Sequence, residues 1–297
     1  MPALYGALLV LGLFWGVGIP LTKIAVGAGY APLGLIAWQT IYMTLFLSIV
    51  LLVRGGGFRL GRRHWRLYAV IALSGTLIPN SFGYRAAAEL PAGVMSIIIA
   101  LVPMFALPVA LALGLERWRW ARLGGVALGG VAVALIAGPE TSLPAGTEVA
   151  FVALALVAPL SYAIEGNYLA LKGTGGLGPF EVLWGASLLG ALVAVPAALA
   201  SGDWIDPRRA WGVAEWAILG NAVSHGIAYA GYVWLVGRAG AVFAAQVAYL
   251  VTGAGVLWSM ALLGERYSGW VWLALVLMLA GVSLVQPRAG AARRAGA

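Results

Sequence analysis

The chain of 297 residues has no cysteine, only two histidines and few charges. Without cysteine there is no disulfide, no thiolate metal site and no cysteine nucleophile. His64 and His225 stand far apart in sequence, so neither a zinc nor a haem site is expected. Charged residues make up 9% of the chain, against about 25% in soluble domains. No carboxylate pair and no metal-ligand spacing appears. No Gly-x-x-x-x-Gly-Lys-Ser/Thr phosphate loop is present, so no ATP-hydrolysing domain is expected.

What fills the sequence instead is apolar. Hydrophobic residues reach 62% and the mean hydropathy is +0.96. Soluble domains carry about 45–50% apolar residues, so the bilayer must be the solvent here. A spanning helix needs roughly 20 apolar residues. Ten runs qualify: Ala3–Val26, Leu33–Val53, Leu67–Ala87, Ala92–Leu115, Ala121–Ala137, Val149–Leu171, Phe180–Ala200, Trp211–Val236, Ala241–Leu263 and Gly269–Val285. Barrel strands would alternate in polarity, so these spans are helices. The first run has no basic residue ahead of its apolar core and is taken as a retained helix rather than a signal peptide.

The net charge of +8 sits in the breaks between runs and at the C-terminus. That is the pattern of cytoplasmic loops, not of a nucleic-acid surface. With the N-terminus inside, thirteen Lys and Arg fall on the inner side, including Arg54, Arg59, Arg62, Arg63 and Arg66 and the tail residues Arg288, Arg293 and Arg294. Four fall outside: Arg85, Arg208, Arg209 and Arg266. Both termini are therefore expected in the cytoplasm.

The stretch Leu101–Val133 returns later in the chain. Leu101-Val102 and Glu116-Arg117 recur 149 residues on as Leu250-Val251 and Glu265-Arg266. Leu128-Gly129-Gly130-Val131 is echoed by Leu279-Ala280-Gly281-Val282. This reads as an internal duplication. The expected organisation is a first five-helix repeat over 1–137, an extracytoplasmic linker over 138–148, a second repeat over 149–286 and a basic cytoplasmic tail over 287–297. Five is odd, so the second repeat must lie inverted relative to the first. Inverted repeats are typical of secondary transporters.

Ten helices in two inverted halves, Trp15-Gly16 with Lys23 in the first span, and Pro103…Glu116-Arg117 repeated as Leu263-Gly264-Glu265-Arg266 resemble the drug/metabolite transporter superfamily. Within it the chain is most similar to the bacterial exporters of aromatic and other amino acids. Thr252-Gly253, near the place of Pro103 in the second copy, departs from the pattern. The resemblance implies a central cavity between the halves, alternating access and a place in the bacterial inner membrane.

Polar residues inside spans are costly and often face a cavity or a partner. Asn221, Ser224, His225 and Tyr229 fall on one face of the eighth helix. Asn80 and Tyr84 do the same on the third. Glu165 lies in the sixth helix with Tyr162 before it and Asn167 after. Ser96, Met104, Gln246 and Tyr249 come from the fourth and ninth helices, and Trp15, Trp38 and Gln39 are read as completing the wall. Each has a plainer explanation. His225 can be a helix–helix hydrogen bond, Glu165 can lie near the inner interface, and Lys23 can snorkel to the outer headgroups. The expected substrate-binding set is Trp15, Asn80, Tyr84, Ser96, Tyr162, Glu165, His225, Tyr229, Gln246 and Tyr249. Lys23, Pro20, Pro79, Pro103 and Pro159 are expected at gates or helix bends. Gly12-x-x-x-Gly16 and Gly125-x-x-x-Gly129 allow close helix contact.

These features point to a carrier exporting amino acids, aromatic and other large apolar ones. Export of lipophilic drugs or other metabolites is the alternative. A membrane enzyme or a channel is less consistent with the scattered charges and the lack of a filter-like loop. No cofactor is expected. The partners are a small-molecule substrate and the bilayer; monomer and homodimer both remain open.

Overall fold

The computed structural model describes residues 2–139, 142–239, 243 and 246–285, apart from side-chain surroundings at 236 and 237. The basic tail with Arg288, Arg293 and Arg294, and Glu140 of the linker, lie outside the described residues. Among the described residues the chain is helical, with no strand. The helices are α1 (Pro2–Gly27), α2 (Pro32–Val53), α3 (Trp65–Ala72), α4 (Ile78–Glu89), α5 (Ala92–Ile99), α6 (Val102–Ala112), α7 (Trp120–Ala137), α8 (Ala150–Ala155), α9 (Val157–Lys172), α10 (Pro179–Ser201), α11 (Val213–Ala239), α12 (Val247–Leu263) and α13 (Gly269–Val285). Six segments are long and apolar enough to cross a bilayer: α1, α2, α5 with α6, α7, α8 with α9, and α10. α12 and α13 are shorter but equally apolar in character.

Three expected spans are not continuous helices. The third is α3 and α4 joined by a π-helical turn at Leu73–Leu77. The fourth breaks after Ile99 and stops at Ala112 rather than Leu115. The sixth breaks after Ala155. Proline explains all three. It has no N–H, and its ring pushes away the carbonyl four residues back. For Pro79 that residue is Gly75, inside the π turn; for Pro103 it is Ile99, the last of α5; for Pro159 it is Ala155, the last of α8. Pro79 and Pro103 thereby sit in the first turn of a new helix, where a missing N–H is harmless. Pro20, by contrast, lies inside an unbroken α1. In the ninth span, which carries Thr252 where the fourth has proline, α12 is continuous from Val247.

Helix pairing follows small residues. α1 packs on α11 and α12, while α9 packs on α4, its preceding π turn and α6. α2 runs beside α10, α7 beside α13, and α5 beside α12. Gly16 lets α1 approach closely: a Cβ there would lie 2.8 Å from the Ala254 Cβ and 2.9 Å from the Gly255 nitrogen. A Cβ on Gly125 of α7 would lie 2.6 Å from the Gly281 carbonyl oxygen of α13. α2 carries a ladder of hydroxyls, Thr40, Thr44 and Ser48, each bonded back to the carbonyl four residues earlier. Ser48 also accepts from Trp184 Nε1 of α10 at 2.9 Å.

The outward faces are apolar. Val53, Trp120, Val213 and Ile49 are among many large hydrophobic side chains left exposed. A water-soluble fold does not expose so large a contiguous apolar surface, whereas a bilayer covers it.

The pairing of α7 and α13 gives a direct check. Gly125→Val drives a side chain into backbone and should destabilise by about 1–3 kcal/mol. Gly130 of the same helix has no other atom within 4 Å of an added Cβ. Gly130→Val should leave the thermal midpoint in detergent near the wild-type value, and equal losses in the two variants would contradict the packing.

Candidate functional site

Four helices bring polar and aromatic side chains to the middle of the bundle. Gln39 of α2 is the hub: its Oε1 accepts from Asn80 Nδ2 at 2.8 Å and from the Tyr84 hydroxyl, both on α4. The π turn sets this geometry, because Pro79 begins α4 and places Asn80 and Tyr84 one turn apart on the face toward α2. Tyr162 of α9 lies near Tyr84, and Glu165, one turn further along α9, lies near both Tyr162 and Tyr229 of α11. Glu165 packs against the π turn, where a Cβ on Gly75 would lie 2.9 Å from its carboxyl carbon. No hydrogen bond or ion pair reaches the Glu165 carboxylate from the described residues. Tyr229 in turn meets the Phe180 ring edge-on at 6.2 Å.

The rest of the α11 polar stripe does a different job. Trp15 Nε1 donates to His225 Nδ1 at 3.1 Å, leaving Nε2 as the ring atom free to donate. Asn221 Nδ2 donates to Thr22 Oγ1 at 3.1 Å, and the Ser224 hydroxyl donates to the Phe14 carbonyl. These bonds knit α11 to α1. The Trp15 ring also touches Tyr232 edge-on at 5.9 Å.

Several expected wall residues lie elsewhere. Ser96 is buried in the seam between α5 and α12 and donates to the Thr252 carbonyl at 2.9 Å. Met104 is buried where α6, α7 and α13 meet, against Gly129 and Gly281. Asn167 donates to the Ala106 carbonyl of α6 at 3.1 Å and back to Ala163. Trp38 donates to the Ile205 carbonyl at 2.9 Å and stacks near Trp204 and Tyr42. Gln246 precedes α12, and Tyr249 is half-buried against the main apolar core. Lys23 Nζ donates to the Ala88 carbonyl at 2.8 Å, at the end of α4. Pro20 packs inside α1 without breaking it.

Two clefts open near these groups. One holds about 250 Å³ of empty space including its mouth, between Thr22, Gln39, Tyr84, Asn221 and apolar residues of α1, α2 and α11. The other, of about 260 Å³, lies between Trp38, Tyr42, Trp211, Glu215 and the α10–α11 connection. At that connection the Arg208 guanidinium holds the Asp206 carboxyl down at about 2, so it stays charged at working pH. Of the ten residues expected to bind substrate, Tyr84 alone lines the first cleft, beside Gln39 and Asn221. Asn80, Tyr162, Glu165 and Tyr229 form a half-buried group beside it, while His225 sits in the seam with α1. Gln39, read from the sequence as part of the wall, joins α2 to α4, while Glu265, to which the sequence reading gave no role in the site, bonds across to α5. Among the described residues no group of three or more metal-ligating side chains occurs.

A helical membrane bundle with a mixed polar and aromatic centre is the architecture of a solute transporter. The model of the EamA-like transporter family matches residues 3–138 and 150–286, and the chain belongs to that family. EamA proteins are transporters of the drug/metabolite class, not enzymes. Solved structures share the fold: one described only as "Crystal structure of protein" is 17% identical, with a TM-score of 0.59 over 97% of this chain and 99% of that one. No curated protein matches the chain.

The hub makes a prediction about assembly. Gln39→Leu leaves the Asn80 amide and the Tyr84 hydroxyl without their acceptor, at about 1–3 kcal/mol for each buried group left unpaired. Its thermal midpoint should fall well below that of Tyr84→Phe, which removes one donor and leaves Gln39 bonded to Asn80. A Gln39→Leu midpoint at or above that of Tyr84→Phe would contradict the hub.

Proposed function

We propose that the chain is a secondary transporter of the bacterial inner membrane that exports amino acids, aromatic and other large apolar ones, by alternating access. Its ten spans form two inverted five-helix repeats with both termini in the cytoplasm. The helix pairing supports the repeat. Counting spans, the first packs on the eighth and ninth and the sixth on the third and fourth; the second pairs with the seventh and the fifth with the tenth. Exchanging each span for the one five places on leaves these pairings unchanged. Short connections make successive spans antiparallel, so an exchange by five reverses direction and the relating axis lies in the membrane plane.

The observation that carries the substrate class is the group around Glu165. A carboxylate without a partner among the described residues faces Tyr162 and Tyr229, with the Gln39–Asn80–Tyr84 cluster beyond. An amino acid offers an ammonium to the carboxylate and a carboxylate to the amide and phenol donors. Its side chain lies against the tyrosine rings, and apolar burial of this kind is non-directional, which favours broad specificity. The sites are mostly neutral donors and acceptors, so release is not held back by strong fixed charges. The alternative, export of lipophilic drugs or other small metabolites, is favoured by the same lone carboxylate if the cargo is a cationic amine.

Counterflow in proteoliposomes separates these readings. Preloaded unlabelled phenylalanine, tyrosine or leucine should accelerate uptake of the labelled compound, and lipophilic amines should not. Acceleration by amines alone would overturn the amino-acid reading. Tyr84→Leu and Tyr229→Leu should each slow aromatic transport several-fold while inserting normally, and wild-type rates in both would remove the tyrosines from the site. Reporter fusions at Gly56 and Ala31 should report cytoplasm and outside respectively, and the reverse would overturn the orientation.

A further inference from the structure

We propose that Lys23 and Glu265 form a clasp on the connection between α4 and α5, which holds one face of the transporter shut and must open in each cycle. This rests on the carrier reading above. α4 ends at Glu89 and α5 begins at Ala92, with Leu90-Pro91 as the elbow between them. A helix end leaves carbonyls without partners and a helix start leaves N–H groups without partners. Both needs are met here by side chains from elsewhere. Lys23 of α1 donates to the Ala88 carbonyl at 2.8 Å. Glu265, from the α12–α13 connection, accepts from the backbone N–H of Ala92 at 2.8 Å and of Gly93 at 3.1 Å, and from the Tyr267 hydroxyl. A cation thus sits at the negative end of α4 and an anion at the positive end of α5, the favourable arrangement at each pole. Lys23 and Glu265 are also close enough to attract one another.

Gly93 is required by this approach. A Cβ there would meet the Tyr267 ring, with Cε1 at 3.0 Å and the outer ring atoms nearer still. The clasp joins the halves, because the elbow and Lys23 belong to the first and Glu265 and Tyr267 to the second. It lies at the ends of the spans, where water can replace each side chain as it lets go. A buried apolar seam has no such substitute.

The internal duplication supplies the second observation. Glu265-Arg266 is the later copy of Glu116-Arg117. On the α6–α7 connection, at the opposite face, Glu116 takes Arg122 of its own segment as partner at 2.7 Å. The two copies of one motif therefore hold different partners in one structure: one reaches across the halves and the other stays within its own. A carrier shut at one face has this asymmetry, and a pair of fixed caps does not require it.

The absence of cysteine allows a clean test. Ala25, two residues on from Lys23 in α1, is buried and lines the cleft with Thr22 and Gln39, so Ala25→Cys reports opening at this face to a membrane-impermeant maleimide. In that background Lys23→Gln, Glu265→Ala and Gly93→Ala should each raise the labelling rate from the Ala31 face about tenfold, the size expected for loss of a charge-assisted hydrogen bond. Lys23→Gln with Glu265→Ala should label no faster than the faster single variant, because either change opens the same clasp. Wild-type labelling rates in Lys23→Gln and Gly93→Ala overturn the clasp, even if Glu265→Ala fails to insert. Counterflow in the same proteoliposomes keeps the two ideas apart: faster labelling without amino-acid counterflow sustains the clasp and overturns the substrate.

Discussion

Inside a bilayer no water is at hand, so every polar side chain in a span must find its partner on another part of the protein. That constraint organises this molecule. Asn221, Ser224 and His225 bond to α1, Ser96 bonds to α12, Asn167 bonds to α6, and Trp184 bonds to Ser48 of α2. Each bond is a seam that fixes two helices against each other. The same constraint makes Glu165 conspicuous. It lies among tyrosines, against a helix turn opened by a proline, with no partner among the described residues. Glu165 is half-buried, so its carboxylate gives up part of its hydration without gaining a partner among the described residues.

The apolar runs were legible because hydropathy over a span needs no knowledge of neighbours. Some runs match described helices closely, with Pro32–Val53 for Leu33–Val53 and Gly269–Val285 for the same residues, while the third, fourth and sixth are broken. The chain breaks four residues before each of Pro79, Pro103 and Pro159. Pro20 shows the limit of that rule: α1 passes through it without a break. The polar stripes were legible as stripes but not as sites. A stripe that seals two helices and a stripe that lines a cavity have the same 3.6-residue period. Only the helix opposite decides between them. For Ser224 that helix is α1 at a backbone carbonyl; for Asn80 it is α2 at Gln39. Glu265 shows the converse, a residue visible as a repeat whose partners, 172 and 173 residues away, no local pattern could name.

The fold and the site meet in the way the helices are joined. Glycine contacts bring α1 onto α12 and α7 onto α13, so these seams are close and apolar. The polar centre lies between α2, α4, α9 and α11. The π turn at Leu73–Leu77 stands beside this centre, and such turns recur where a helix must re-aim its side chains.

The most direct measurement uses a cysteine placed in that centre of the otherwise cysteine-free chain. Thr76 lies in the π turn, next to Gly75 where Glu165 packs, and is half-buried. Thr76→Cys should react with an impermeant maleimide in both right-side-out and inside-out vesicles, and the transported amino acid should slow both reactions. Reaction from one face only, or reaction that no amino acid slows, would contradict a central site with alternating access.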